Sequence, residues 1–139
     1  MIPPRYGLAA VLLLSASLHV GAVEVVVNPS IDQRTLTLST LRAIFSMRMT
    51  QWPDGTAVRV FVLGDKNPLH AAFSKQILGV FPHQLRRAWN RQIFSGTGQA
   101  PNKVETATEM QYQIERTPGA IGYLPEEQLN GHIRTIEIE

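Results

Sequence analysis

The stretch from Val58 to Ile77 constrains the fold more than any other part of the chain. Val58 to Leu63 is apolar and rich in β-branched residues, the composition of a strand. Gly64 to Asn67 is a short polar turn, after which Leu69, Phe73 and Ile77 recur at the spacing of one helix face. Asn67 is placed to cap that helix, and Pro68 takes its first position, where a missing N–H costs nothing.

The rest of the chain repeats this alternation. Glu24 to Val27 reads as a short strand closed by the turn Asn28-Pro29-Ser30. Ser39 is placed to cap a helix carrying Leu41, Ile44 and Phe45, and Trp52-Pro53-Asp54-Gly55 makes a turn in which Gly55 accepts a left-handed conformation. Gly79 ends the central helix, and Pro82 opens another whose inner face is Leu85, Ala88, Trp89 and Ile93. Ser95 to Pro101 is a loop. Thr106 caps a fourth helix with Met110 and Ile114 inward, Thr117-Pro118-Gly119 ends it, and Ala120 to Leu124 is a third strand. Pro125 to Asn130 forms one helical turn, and His132 to Glu139 alternates as an edge strand. Strands separated by helices predict an α/β domain with a mixed, mostly parallel sheet flanked by helices.

Residues 1–22 are set aside as a signal peptide. Arg5 supplies the positive start, Leu8 to Val20 is almost continuously apolar but short for a bilayer, and Val20-Gly21-Ala22 offers small residues for cleavage before Val23. That predicts an exported, periplasmic domain over 23–139. Without Arg5, twelve of the thirteen cations remain against eleven carboxylates, so bulk charge makes no case for nucleic acid. There is no cysteine, hence no disulfide framework and no thiolate nucleophile or ligand.

Several phrases then fall in the order of one family: Leu41-Arg42-Ala43-Ile44-Phe45, Trp52-Pro53-Asp54-Gly55, the strand-turn-helix above, Phe94-Ser95-Gly96, and Thr117-Pro118-Gly119-Ala120-Ile121-Gly122-Tyr123-Leu124. Together they resemble PstS-type proteins, the periplasmic phosphate-binding components of ABC transporters. The resemblance implies a two-lobed clamshell that grips an anion between its lobes, of which this short chain corresponds to one lobe. In those proteins the turn resembles Arg-Ser-Asp-Gly-Ser-Gly-Thr. Here Asp65 is kept, Leu63 stands at the arginine position, and Asn67-Pro68-Leu69 replaces the Ser-Gly-Thr triplet. A helix end contributes about 0.3–1 kcal/mol and each lost charge-assisted bond about 1.5–3. A micromolar site needs about 8 kcal/mol, more than this turn supplies alone.

Candidate ligand residues are Asp65, Asn67 and His70 at the turn, and Ser95, Gly96, Thr97 and Gly98 in the loop, where two glycines flanking Thr97 let backbone N–H groups approach an anion. The plainer reading of that loop is a flexible connection. His83, Arg87 and Arg91 recur at fourth positions and form a basic stripe, either a docking face for an acidic partner or lipid headgroups, or an ordinary solvated face. His70 and His132 have no metal-ligand spacing, and neither a catalytic motif nor a cofactor fingerprint is present, so no metal, cofactor or enzymatic activity is expected. Two functions remain. One is solute binding of phosphate or another small oxyanion for ABC transport, with a homodimer partner as one way to replace the absent lobe. The other is an envelope adaptor or regulatory module that kept the fold and lost the anion.

Overall fold

The computed structural model describes residues 21–96 and 98–139. Residues 1–20, the body of the expected signal peptide, and Thr97 lie outside the described residues. In chain order the elements are β1 Val23–Val27, β2 Thr35–Leu36, α1 Leu38–Phe45, β3 Arg59–Val62, α2 Pro68–Ala72, α3 Pro82–Phe94, β4 Asn102–Lys103, α4 Ala107–Arg116, β5 Ala120–Pro125, β6 Arg134–Thr135 and β7 Glu137–Ile138. The main sheet has the order β4-β3-β5-β1-β6, and β2 pairs with β7 beside it. Strand β3 runs parallel to both β4 and β5, while β1 is antiparallel to β5 and β6. Four of the five strands therefore point one way, and β1 alone opposes them.

Alternation along β5 assigns the helices to opposite faces. A Cβ on Gly122 would stand 2.6 Å from Ile114 Cδ1 and Met110 Sδ, so glycine is what lets α4 close against the sheet there. The next residue, Tyr123, points to the other face, stacking on Phe73 at 4.1 Å and tilting against Phe45 at 6.2 Å. Leu41, Ile44, Phe45, Met110, Ile114 and Tyr123 are fully buried, each worth roughly 1.5–3 kcal/mol of transfer free energy.

Two of the turns lock onto each other. Trp52 is buried, and its indole N–H donates to Gly119 O at 3.0 Å. Gly119 has φ +79°, and an added Cβ would lie 2.2 Å from Ala57 O, so both conformation and space demand glycine. Asn28 is buried beneath them; its side-chain N–H group donates to Ile114 O at 2.8 Å and Glu115 O at 3.1 Å, satisfying carbonyls at the end of α4.

Local expectations fail in four places. Thr37, not Ser39, caps α1, accepting from Thr40 N–H at 3.1 Å. After α2 the helix widens into a π-turn, Phe73–Leu78. The wider turn makes Leu78 rather than Ile77 the fully buried residue, because one residue is added to the period. On α3 only Leu85 is buried, Ala88 and Trp89 are half-buried, and Ile93 is 44% exposed, since the C-terminal half of the helix overhangs a cleft. The expected edge strand is divided: β6 pairs with β1 and β7 with β2.

Candidate functional site

The C-terminal ends of β3 and β4 open into a cleft of about 640 Å³ covered on one side by α3. Because β3 and β4 are parallel, their C-terminal residues and the turn after β3 share one rim. Strand β3 leads into Leu63, Gly64, Asp65 and Lys66, β4 ends on Lys103, and α3 contributes Arg86, Trp89, Asn90 and Ile93. Three cations, Lys66, Arg86 and Lys103, thus face a space holding one carboxylate, Asp65. Lys103 reaches over the turn, its Nζ 3.7 Å from where a Cβ of Gly64 would stand. Arg86 Nη1 donates to Asp65 Oδ2, across side chains that are 55% and 28% exposed, so the pair itself adds at most about 1 kcal/mol to stability.

Behind this surface lies a buried polar chain. Leu63 N–H donates to Tyr123 Oη at 2.8 Å, and Tyr123 Oη contacts His70 Nδ1. A phenol that donates its proton to Nδ1 leaves the proton of neutral His70 on Nε2, whereas the other tautomer reverses the bond. That Nε2 has no hydrogen-bond partner; Asp65 Oδ1 lies 3.9 Å away. Burial lowers the His70 pKa, partly opposed by Asp65 and reinforced by Lys103. Burial likewise pushes the Tyr123 phenol upward. Asp65 therefore accepts from a solvent-side arginine and stands above a fully buried histidine that it does not hydrogen-bond.

The fold scatters the residues singled out in the sequence. Asp65 lines the cleft, and His70 sits beneath it with its ring 6.3 Å from Trp89. Asn67 Oδ1 accepts from Leu69 N–H at 2.9 Å as the cap of α2, while Pro68 has no N–H to give. Ser95 and Gly96 follow α3, with Ser95 Oγ donating to Gln92 O at 2.9 Å, and Gly98 packs tightly on Gln92. None of these three is among the cleft-lining residues, and Thr97 is outside the described set. His83 stacks on Phe81, Arg87 is exposed, and Arg91 turns into a separate groove against α1.

A family model described as a PBP superfamily domain matches residues 17–129. The chain belongs to the PBP superfamily. Solved structures agree on the fold of this PBP-superfamily lobe. An ABC-type phosphate transport receptor from Vibrio cholerae superposes with a TM-score of 0.64 at 15% identity, covering 84% of this chain and 45% of that one. A putative phosphate ABC transporter substrate-binding protein with bound phosphate from Clostridium perfringens gives 0.66 at 15% identity, covering 84% and 44%. PstS from Borrelia burgdorferi gives 0.66 at 14% identity, covering 85% and 47%. The chain thus spans less than half the length of the proteins it superposes on. No curated protein sequence matches it.

Sequence reasoning missed the convergence of Lys103, Arg86 and Asn90 on Asp65. Lys103 lies in a two-residue polar strand with no periodic signal, and its approach to Gly64 depends on a parallel pairing between segments about forty residues apart.

Proposed function

We propose that this chain is an exported solute-binding protein of the periplasm whose single lobe takes a small oxyanion such as phosphate in the cleft between β3, β4 and α3. The observation that carries this reading is the convergence of Lys66, Arg86 and Lys103 around one carboxylate. Three cations against one anion attract negative charge into a concave site. The lone carboxylate, Asp65, favours an anion that still carries a proton, as phosphate does near neutral pH, because a fully deprotonated sulfate would meet repulsion at that oxygen. Arg86 keeps N–H groups beyond the one given to Asp65 and can offer them to the ligand. The bound-phosphate structure from Clostridium perfringens supports the ligand class. Transport through an ABC system belongs to the same proposal.

Calorimetry of the purified chain with phosphate, sulfate and molybdate tests it. A single lobe is expected to bind phosphate with about 4–7 kcal/mol, and Lys66→Gln with Lys103→Gln to weaken that at least about tenfold. Heats equal to buffer dilution for all three anions would remove the solute-binding reading.

One observation favours the alternative of a ligand-free envelope adaptor. Three backbone positions of the turn have no donor to give: Asn67 N–H donates to Gly64 O at 3.0 Å, Pro68 has no N–H, and Leu69 N–H donates to the Asn67 cap at 2.9 Å. Under that reading anion titrations are silent, and the chain co-purifies with an envelope assembly through α3, an association that Arg87→Glu weakens.

A further inference from the structure

On the flank of α3 away from the cleft, a groove of about 280 Å³ separates that helix from α1. Its floor is apolar, formed by Leu78, Val80, Leu85 and Ala88, and its rim carries Arg42, Arg48 and Arg91. No Asp or Glu lines it, and among the described residues none of the three guanidiniums has a carboxylate within ion-pair distance. The cleft, by contrast, has its arginine paired, Arg86 with Asp65.

Two of these cations are held in place. Arg42 Nε donates to Leu78 O at 2.8 Å, and its Nη2 lies 3.0 Å from where a Cβ of Gly79 would stand. Arg48 Nε donates to Ser46 Oγ at 3.0 Å. Met47, just before it, has φ 65°, the one positive φ outside glycine among the described residues and a conformation that bulky side chains avoid. That left-handed residue doubles the chain back after α1, so that the N–H groups of Arg48 and Met49 both reach Ala43 O, at 2.9 and 3.0 Å. With Met47 N–H on Ile44 O at 3.0 Å, these bonds make a Schellman-type cap that closes α1 and fixes where Arg48 leaves the helix, beside the groove. Arg91 comes from the last turn of α3, one turn after Arg87.

Like charges set around an apolar floor repel one another, and a carboxylate between them relieves that repulsion with bidentate geometry that suits guanidinium. The floor adds a second requirement, an aliphatic group close to the acid. A flat bilayer would meet only the rim, whereas a peptide side chain enters the recess. We propose that the α1–α3 groove docks an acidic segment of a partner protein in which glutamate or aspartate alternates with leucine-like residues, the acids on Arg48 and Arg91 and the aliphatic groups over Leu85 and Ala88. The proposal does not depend on the anion cleft.

Fluorescence anisotropy of a fluorescein-labelled peptide of repeating Glu-Leu-Glu against the purified chain is the direct test. Saturable binding is expected, lost when Gln replaces Glu, and weakened about tenfold by Arg91→Glu, while Arg116→Glu on α4, of equal net charge, stays within about twofold. Circular dichroism confirms that the Arg91→Glu chain is folded. Flotation with phosphatidylglycerol vesicles supplies the other arm, and no vesicle binding is expected. Absence of peptide binding, indifference to Arg91→Glu, or Arg91-dependent capture of vesicles in place of the peptide would each overturn the proposal.

Discussion

Removing one oxygen atom from the core, by Tyr123→Phe, is expected to destabilise the protein far beyond its size. The ring's stacking on Phe73 at 4.1 Å is kept, so the change isolates the hydroxyl. Two buried groups lose their partner, Leu63 N–H at 2.8 Å and His70 Nδ1, and neither is reached by solvent. An unsatisfied buried polar group costs about 1–3 kcal/mol, so the expected loss is roughly 2–4 kcal/mol out of a typical 5–15. Urea unfolding followed by circular dichroism should show the midpoint falling by about 1–2 M with an unchanged slope. Tyr112→Phe, at a ring 50% exposed, is the control and should stay within about 0.5 kcal/mol. A Tyr123→Phe chain as stable as that control would refute the claim that the hydroxyl bridges strand β3 to His70.

Acidification should weaken the fold through His70. Its folded pKa lies below the unfolded value because burial, reinforced by Lys103 and only partly offset by Asp65, disfavours the charged ring. Below about pH 6.5 the unfolded chain takes up a proton that the folded chain refuses. Stability should therefore fall at up to about 1.4 kcal/mol per pH unit in denaturant titrations, and His70→Gln should flatten that slope. Gly119→Ala combines a φ of +79° with a Cβ 2.2 Å from Ala57 O, so its loss, read by thermal melting, should exceed about 3 kcal/mol. Gly55→Ala, at φ +89° with open space around it, should cost only about 1–2 kcal/mol in the same melt. Arg86→Ala should leave unfolding within about 1 kcal/mol, since its ion pair with Asp65 is exposed, while weakening phosphate binding measured by calorimetry.

The features legible in the sequence were those that neighbours in the chain decide. Asn67 and Thr106 cap their helices through their own side chains, and Met110 with Ile114 follows the helical period that a regular α4 preserves. The misplacements arise where distant packing overrides that logic. The π-turn moved burial from Ile77 to Leu78, and the overhang of α3 left Ile93 beside open space. The candidate site was less legible still. Asp65 stood out through its turn, yet its counterparts Arg86 and Lys103 come from a helix and a two-residue strand that only tertiary pairing brings near it. Arg91 was visible as one of a stripe with His83 and Arg87, but the Arg42 and Arg48 that share its groove belong to α1 and the turn after it.

The proposed anion cleft is tested most directly by titrating inorganic phosphate into the isotopically labelled chain and following backbone amide resonances. The account expects saturable shifts concentrated at Gly64, Asp65, Lys66, Asn90 and Lys103, with the Arg42, Arg48 and Arg91 groove unmoved. A spectrum that does not change at millimolar phosphate, or shifts gathered elsewhere on the chain, would contradict it.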